Sequence, residues 1–456
     1  MWSGKRLKLT LERPSIFQGN LDRKFAASVR IDFRTEAIRA QSGDGGEGGE
    51  AEGGGNSAAG ATSGSKGRRC RRGGSDAGRQ CLGCAQGGAR RTGGARRSLK
   101  TLAAGKGFEQ ELRQTASSVA SPGRGILAMD ESNGTCGKRL DAVGVENSEE
   151  NRRRYRELLV TAPMGEYVSG AILFEETLYQ KDSSGKPFVD CLKDNGVLPG
   201  IKVDKGLVPL PGSNGESCTQ GLDGLASRAQ EYYKQGAKFA KWRGVINITA
   251  GPSWQAINET TYSLARYATI CQDNGLVPIV EPEVLIDGEH DIDTTLEVQE
   301  HVWATQFKHL SDLGALFEGI LLKPAMVIPG ADNPNAPAPP EQVAEYTLSL
   351  MKRRVPPAVP GIHFLSGGMS EVEATLNLNA MNQQANPWHV SFSYARALQN
   401  TVIKTWAGDD NNFQAAQQAL LRRAKANSMA QLGKYDSSQE EDEAAAESNY
   451  VKGYSY

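Results

Sequence analysis

The sequence is poor in histidine and cysteine, and it has no long apolar run. Five histidines occur among 456 residues, and none has the HxH or HxxH spacing with which imidazoles chelate zinc. Seven cysteines are scattered along the chain, which excludes a disulfide framework and favours a reducing compartment. No apolar run reaches about 18 residues, so no membrane span is predicted. We therefore expect a protein that uses no metal, no other cofactor and no membrane.

Charge is distributed unevenly, although the net charge is only −1. Residues 1–100 contain 20 Lys and Arg against 9 Asp and Glu. A basic, acid-poor start without a secretory apolar core is typical of an organelle transit peptide. Residues 43–98 consist mainly of Gly, Ala, Ser and Arg, which cannot bury a core. We predict a transit-like, low-complexity and disordered extension over residues 1–106. Its arginine pairs near residue 70 have no interleaved aromatic side chain, so nucleic-acid binding is not predicted.

From about residue 107, short apolar segments alternate with longer amphipathic ones. We predict eight strands, at Gly125–Asp130, Gly170–Glu175, Gly200–Lys205, Phe239–Ile246, Val277–Glu283, Phe317–Lys323, Gly361–Gly368 and Val390–Tyr394. This alternation favours an α/β fold of the TIM (β/α)8 barrel type over residues 107–435. An open doubly wound sheet is the competing arrangement, but the first strand lacks a Gly-rich dinucleotide loop. Residues 436–456 form an acidic segment without helical or strand period, which we predict to be a mobile C-terminal tail.

Charged side chains stand at the ends of most predicted strands, where a barrel places its catalytic groups. They are Asp130, Lys202, Lys205, Lys241, Arg243, Glu281, Glu283 and Lys323. Any single one is equally compatible with a structural salt bridge. Burying this many charges in one cavity is costly unless they pair and act, so the whole set predicts a catalytic site.

Of these lysines, Lys323 is preceded by the most apolar segment, Gly-Ile-Leu-Leu. It is therefore the best candidate for an amine that attacks a carbonyl. Burial and neighbouring cations favour the neutral form of a lysine, which is the nucleophilic form. Glu281 and Glu283 are two residues apart on one strand, so their side chains point to the same face. A carboxyl pair of this kind provides a general acid beside a general base.

The loops after the seventh and eighth predicted strands carry the residue types of a phosphate site. Ser366, Gly367 and Gly368 offer a hydroxyl and close backbone N–H groups, and Arg396 offers a forked cation. In many barrels these two loops bind phosphate. Arg139 and Arg152, near the helix after the first strand, are available for a second phosphate, although a solvated helix face explains them equally well.

Long segments of the chain resemble the class I fructose-bisphosphate aldolases, from residue 107 to the end. They are GILAMDES, GAILFEETLYQ, GIKVDKGLVPL, QGLDGLASR, FAKWR, VPIVEPE, GILLKP, PPAVPGIHFLSGG, LNLNAMN, PWHVSFSYARALQ and ANSMAQLGKY. By this resemblance the Schiff-base lysine of the family falls on Lys323, and its acid/base glutamate on Glu281 with Glu283 beside the imine. The other matched positions are Asp130, Lys202, Lys241 and Arg243 in the cavity, Ser366, Gly367, Ser393 and Arg396 at one phosphate, Arg139 and Arg152 at the other side, and the C-terminal Tyr456 in proton transfer.

The resemblance implies reversible cleavage of fructose 1,6-bisphosphate to dihydroxyacetone phosphate and glyceraldehyde 3-phosphate, in glycolysis and the Calvin cycle, by a homotetramer. Asp130 and Glu281 are both candidates for the base that deprotonates the reacting hydroxyl. Segments such as LAMDESN and VKGYSY are most similar to those of the plastid enzymes. This resemblance implies a chloroplast location, with the cytoplasm as the alternative. A transaldolase-type barrel and an aldolase-like scaffold that binds actin or nucleic acid are the competing hypotheses.

Overall fold

Ten strands form in the part of the chain that the computed structural model describes, which is residues 104–439 and 443–452. They are β1 (Gly125–Met129), β2 (Val168–Leu173), β3 (Leu198–Lys202), β4 (Leu207–Pro209), β5 (Ser217–Thr219), β6 (Phe239–Ile246), β7 (Val277–Val284), β8 (Leu321–Leu322), β9 (Gly361–Phe364) and β10 (His389–Tyr394). Eight of these strands close into a parallel barrel in the order β1-β10-β9-β8-β7-β6-β3-β2. The remaining two, β4 and β5, pair antiparallel as a hairpin between β3 and β6. The predicted TIM-barrel fold is therefore confirmed.

Most of the helices follow barrel strands and pack around the barrel, whereas α1 precedes β1. In the described residues they are α1 (Glu109–Val119), α2 (Asn133–Asp141), α3 (Glu149–Val160), α4 (Glu175–Tyr179), α5 (Phe188–Asp194), α6 (Leu225–Gln235), α7 (Trp254–Gln272), α8 (Ile292–Asp312), α9 (Pro340–Arg354), α10 (Glu371–Asn382), α11 (Arg396–Trp406) and α12 (Phe413–Gln431). None of them is both long and apolar enough to cross a membrane.

Local capping residues set where several of these helices begin. The Ser148 hydroxyl accepts the N–H of Asn151 at 3.1 Å, which starts α3. Ser370 and Glu373 form a capping box at the start of α10, directly after the Gly-rich loop. Pro340 occupies the first turn of α9, where the missing N–H costs nothing. The helix after β9 therefore starts at a fixed residue beside the predicted phosphate loop.

The sixth barrel strand is much shorter than the predicted Phe317–Lys323. Residues 317–319 form a 3-10 turn, and only Leu321–Leu322 are strand. The amide of Gln272 on α7 explains the difference: its nitrogen donates to the carbonyls of Leu316 (2.8 Å) and Gly319 (3.1 Å), and its oxygen accepts the N–H of Leu316 (2.9 Å). These bonds occupy backbone groups that a longer strand would need. Lys323, predicted as the last residue of this strand, follows it directly.

The seventh strand also ends before its predicted boundary. It stops at Phe364, and the chain turns through Gly367 and Gly368, whose φ angles are +53° and +103°. Such left-handed backbone favours glycine and cannot continue a strand. The Ser366-Gly367-Gly368 segment is therefore a loop above the barrel.

Apolar side chains fill the barrel below its C-terminal end. Phe239 of β6 packs inside with Ile126, Ile172 and Ile279, and α1 covers this cluster with Leu112, Ala116 and Val119. Gly200 makes room for the Phe239 ring, since a Cβ at that position would lie 2.2 Å from the ring edge. Because this end is packed mainly with apolar groups, the charged inward side chains lie at the opposite, C-terminal end.

The first 103 residues lie outside the described part of the chain, and so does Tyr456. The predicted disorder of the N-terminal extension therefore stays a prediction. Residues 443–452 of the tail lie against the barrel, where Asn449 donates from Nδ2 to the carbonyl of Met369 at 3.0 Å and Lys452 pairs with Asp332 at 2.8 Å. The predicted mobility of this tail remains untested.

Candidate active site

Because side chains alternate between the two faces of a strand, the charged side chains of neighbouring strands point into the barrel at its C-terminal end. On β6 the inward positions are Phe239, Lys241 and Arg243, which run from the apolar floor to the C-terminal end. On the neighbouring β7 the inward positions end with Glu281 and Glu283. The two strands pair in register with Arg243 opposite Glu281. Two adjacent strands therefore place two cations and two carboxylates at the same rim of the barrel.

Lys241 lies at the centre of a buried charge cluster. Its Nζ is 2.8 Å from Oδ2 of Asp130 and 3.2 Å from Oε2 of Glu281. The second oxygen of Glu281 is 2.9 Å from Nζ of Lys323. All four side chains are almost fully buried. The cluster is therefore a chain of alternating charges, Asp130, Lys241, Glu281 and Lys323, and these are four of the predicted catalytic residues.

Electrostatics fix the charge states of Asp130 and Lys241. Burial alone would raise the pKa of Asp130, but the attraction of Lys241, then of Lys323 and Lys202, outweighs it and lowers that pKa to about 2. Burial likewise opposes the charge on Lys241, yet Asp130 and Glu281 raise its pKa well above the usual value. Asp130 is therefore an anion and Lys241 a cation throughout the neutral range.

Arg243 and Glu283 form a second buried pair beside this cluster, through Nε of the arginine. Burial raises the pKa of Glu283, and the charge of Arg243 together with its hydrogen bond outweighs that effect and lowers it. Both side chains line the same cleft as Lys323. The predicted Arg243 and Glu283 thus belong to one site with the catalytic lysine candidate.

Lys202, at the end of β3, is held by a residue that the sequence prediction missed. Its Nζ donates to Oδ1 of Asp204 at 2.5 Å and to the Asp204 carbonyl at 3.1 Å. Asp204 is buried, and the N–H of Gly206 also donates to its Oδ1 at 3.2 Å. The spacing Lys-Val-Asp, with both charges two residues apart, was the available signal. Lys202 therefore has a fixed ammonium position at the rim of the cavity.

The predicted phosphate cradle lines the same cleft as Lys323. Ser366, Gly367, Ser393 and Arg396 contribute to its wall, together with Arg243 and the glutamate pair. The Ser393 hydroxyl is buried and has no protein hydrogen-bond partner among the described residues. Arg396 donates from Nη1 to the carbonyl of Asn449 in the tail. The loops after β9 and β10 thus bring hydroxyl, backbone N–H and guanidinium groups together, as the sequence predicted.

Arg139 and Arg152 are engaged by carboxylates that the sequence prediction also missed. Arg139 pairs with Glu131, which also binds Arg156 at 2.7 Å. Arg152 forms a forked pair with Glu176, with distances of 2.8 and 2.7 Å. Arg139 lines a groove next to the main cleft, and Arg396 lines both. Glu131 follows Asp130 directly in the sequence, but nothing in the spacing identifies its arginine partners.

The tail contributes two further residues that the sequence analysis did not single out. Tyr450 and Val451 line the main cleft, and the Tyr450 hydroxyl donates to Oδ1 of Asp287 at 3.1 Å. In the described ranges, no group of three or more His, Cys, Asp or Glu side chains is arranged to hold a metal ion.

A parallel (β/α)8 barrel with a buried lysine next to a glutamate, and with the predicted phosphate residues on the following two strands, is the arrangement expected of an aldolase-type lyase. Comparison with known proteins gives the family. The model of the family described as fructose-bisphosphate aldolase class-I matches residues 111–456. The chain belongs to this family, whose reaction is the reversible aldol cleavage of fructose 1,6-bisphosphate.

Similar proteins agree with this assignment. The chain is 67% identical to fructose-bisphosphate aldolase 1, chloroplastic, of Chlamydomonas reinhardtii over 370 residues, which is 79% of this chain and 98% of that protein. It is 65% identical to fructose-bisphosphate aldolase 3, chloroplastic, of Arabidopsis thaliana over 350 residues, 76% of this chain and 89% of that protein. A crystal structure of the Plasmodium falciparum aldolase, in complex with TRAP and a small-molecule inhibitor, superposes with a TM-score of 0.71 at 50% identity, covering 72% and 96% of the two chains.

These findings confirm the sequence predictions of class I family, of lyase activity and of the plastid type. The chloroplastic relatives also support the predicted plastid location and a role in glycolysis and the Calvin cycle.

Proposed function

We propose that Lys323 forms the Schiff base with C2 of fructose 1,6-bisphosphate. The observation that carries this assignment is the 2.9 Å contact between Lys323 Nζ and Glu281 Oε1 inside the buried cluster. An amine that adds to a carbonyl must lose a proton, and the resulting carbinolamine must gain one to expel water. Glu281 is within proton-transfer distance of that nitrogen, so it serves both steps.

Asp130 is the base that removes the proton of the C4 hydroxyl. It pairs with Lys241, whereas Glu281 pairs with the nitrogen of Lys323. Asp130 is therefore the carboxylate placed to act at C4, two carbons away from the imine carbon. Its low pKa keeps it ionised at neutral pH. Lys241, between Asp130 and Glu281, stabilises the negative charge that develops on the C4 oxygen.

Carbon–carbon cleavage then follows from these charges. The C4 oxygen forms a carbonyl as the C3–C4 bond breaks, and the electron pair moves through C3–C2 to the protonated imine nitrogen of Lys323. Glyceraldehyde 3-phosphate leaves, and the remaining enamine is protonated at C3. Tyr456 is our candidate for this proton transfer by family resemblance, although it lies outside the described residues. Addition of water at C2 releases dihydroxyacetone phosphate and regenerates the amine.

The two phosphates bind on opposite sides of the barrel. The C1 phosphate is attached next to C2, and the cradle of Ser366, Gly367, Ser393 and Arg396 shares its cleft with Lys323. In the barrel order β3 lies directly opposite β9, so Lys202 faces this cradle across the cavity. We assign Lys202 to the C6 phosphate, and the family resemblance adds Arg139 and Arg152 as further candidate cations for it.

Borohydride trapping tests the lysine assignment. The chain is incubated with dihydroxyacetone phosphate and sodium borohydride, which reduces an imine to a stable secondary amine, and its peptides are mapped by mass spectrometry. We expect the added mass on the peptide that contains Lys323. Label on Lys241 or Lys202 in its place, or no label at all, would contradict the proposal.

A matched pair of variants completes this experiment. Lys323→Arg keeps the charge next to Glu281 but cannot form the imine, so label and cleavage should both disappear. Lys308→Arg changes a lysine of α8 that is 65% exposed, and both should be retained. A Lys323→Arg protein that still takes up label would place the imine elsewhere.

The family resemblance implies a homotetramer, and we propose that assembly for this chain. Trp254 and Tyr262 on α7 are large aromatic side chains that are 61% and 44% exposed in the single subunit. Burial of such groups against another subunit supports association. Sedimentation velocity should give a particle of four subunits, and a stable monomer at micromolar concentration would oppose the proposal.

A further inference from the structure

A buried charged network lies among the helices that follow β9 and β10, outside the catalytic cluster. Its centre is Glu371, the first residue of α10, which is fully buried and directly follows the Gly367 loop and its cap. Neither imine chemistry nor phosphate binding uses this carboxylate. A fully buried carboxylate is costly unless it is hydrogen-bonded, so its contacts indicate what it does.

The carboxylate of Glu371 connects α10 to α11. Its Oε2 accepts the hydroxyl of Thr401 at 2.6 Å, and its Oε1 accepts the backbone N–H of Thr401 at 3.2 Å. Thr401 lies five residues after Arg396 on α11, the helix that Arg396 begins. One side chain thus joins the helix of the Gly-rich loop to the helix of the phosphate-binding arginine.

The third helix of the network is α12. Arg423, which is 2% exposed, donates from Nη2 to the Glu371 carbonyl and to the Thr375 hydroxyl, both at 2.8 Å. The Thr375 hydroxyl also lies 3.0 Å from Oδ1 of Asn427 on α12. Both ends of Glu371, its carbonyl and its carboxylate, are therefore fixed by different helices.

We propose that the network of Glu371, Thr401 and Arg423 positions the two halves of the C1-phosphate cradle relative to each other. The inference rests on the proposed assignment of that phosphate to Ser366, Gly367 and Arg396. Directional hydrogen bonds fix the position of one helix along its own axis, and its rotation about that axis, relative to the neighbouring helix. Apolar contacts restrict these two movements less. A slip of α11 against α10 moves the Arg396 guanidinium relative to the loop N–H groups, and a misplacement of about 1 Å is enough to weaken binding strongly.

Thr401→Val tests this positioning role, because it keeps the side-chain shape and removes only the hydroxyl that donates to Glu371. We expect the KM for fructose 1,6-bisphosphate and for fructose 1-phosphate to rise about tenfold, with kcat within about threefold. Thr401→Ser retains the hydroxyl and should restore KM. Glu371→Gln is a second variant of conserved volume, with the same expected rise in KM.

Thr261→Val is the matched control. Thr261 is a fully buried threonine of α7 whose hydroxyl donates to the Ile257 carbonyl at 2.7 Å. It should lower the midpoint of thermal unfolding without changing KM. If Thr401→Val or Glu371→Gln is folded and its KM equals that of the native chain, the network is merely structural and the proposal is overturned.

Arg396→Ala separates this outcome from a failure of the underlying phosphate assignment. A raised KM in Arg396→Ala with an unchanged KM in Thr401→Val refutes the positioning role alone. An unchanged KM in Arg396→Ala refutes the cradle itself, and with it the inference.

Discussion

Replacing Lys241 with methionine removes the cation that two buried carboxylates share. Its Nζ lies 2.8 Å from Asp130 and 3.2 Å from Glu281, and its side chain is only 3% exposed. Methionine has a similar length and can occupy the space of the methylene chain of Lys241, so the substitution is mainly a loss of charge. Two carboxylates then remain in a cavity where Lys323 and Lys202 are the nearest compensating cations.

The expected loss of stability follows from the Asp130 pKa. Its lowering from 3.8 to about 2 corresponds to about 2 kcal/mol of stability at neutral pH. Removing one partner of a buried ion pair costs about 3–5 kcal/mol. Since Lys323 and Lys202 still attract Asp130 in the variant, we expect the lower end, about 3 kcal/mol. We also expect kcat to fall at least about a hundredfold, because the charge that stabilises the C4 oxygen is lost.

The stability cost of Lys241→Met depends on pH, and the direction of this dependence follows from the pKa of Asp130. In the native chain the folded pKa of Asp130 is below the unfolded value, so its contribution is complete above that value and is lost as the pH falls toward 2. In the variant, the burial that raises this pKa is no longer opposed by Lys241. The folded carboxyl then takes up a proton at a higher pH than in the native chain. The cost of Lys241→Met should therefore decrease as the pH is lowered from neutral toward about 3, through the range in which Asp130 of the variant is protonated and Asp130 of the native chain is not.

Urea denaturation of both proteins at about pH 7, 5 and 3.5 measures this difference. Lys308→Met provides the control, since Lys308 pairs with Asp312 on the surface of α8 and such exposed pairs contribute less than about 1 kcal/mol. A Lys241→Met cost that is constant over this pH range, or no larger than that of the control, would refute the assigned charge states.

The other predictions concern the substrate sites. Arg396→Ala should raise KM at least about tenfold for both fructose 1,6-bisphosphate and fructose 1-phosphate, since it removes a forked contact to the shared C1 phosphate; equal KM values in native and variant would oppose it. Lys202→Met should raise KM for the bisphosphate while leaving fructose 1-phosphate almost unaffected, and parallel effects on both substrates would reject the C6 assignment. Gly367→Ala should weaken binding of the C1 phosphate, because its φ of +53° is unfavourable for alanine and the new Cβ would lie 3.1 Å from Leu365; equilibrium dialysis with dihydroxyacetone phosphate and the Lys323→Arg protein as background measures it. Tyr456→Phe should slow exchange of the C3 proton of dihydroxyacetone phosphate with deuterated water, and an unchanged exchange rate would remove Tyr456 from the mechanism.

Much of the catalytic cluster could be predicted because its signals are local. A period of two along β6 and β7 places Lys241, Arg243, Glu281 and Glu283 on inward faces, whichever other strands surround them. The apolar lead-in to Lys323 likewise identified a buried lysine. These features depend on neighbours in the sequence. In the structure Arg243, Glu281, Glu283 and Lys323 line one cleft, and Lys241 is buried against Glu281.

Strand length and charge pairing were less accessible to sequence reasoning. The sixth strand is short because Gln272, 44 residues earlier than Leu316, occupies its backbone groups. Glu131 and Glu176 were not identified, although they hold the predicted Arg139 and Arg152. Each of these contacts joins different helices or strands, and no spacing in the sequence indicates which charge meets which.

The sequence by itself determined the barrel, the family and the residue types at the strand ends, since these depend on alternation and on contiguous motifs. Only the tertiary structure decided which of these residues meet. Barrel closure sets β3 opposite β9, and so places the strand of Lys202 across the barrel from the proposed phosphate cradle. It also brings Lys241 between Asp130 and Glu281, and Thr401 onto Glu371. The physical reason is that hydrogen bonds and ion pairs act over a few ångströms, and only chain closure brings such distant residues within that range.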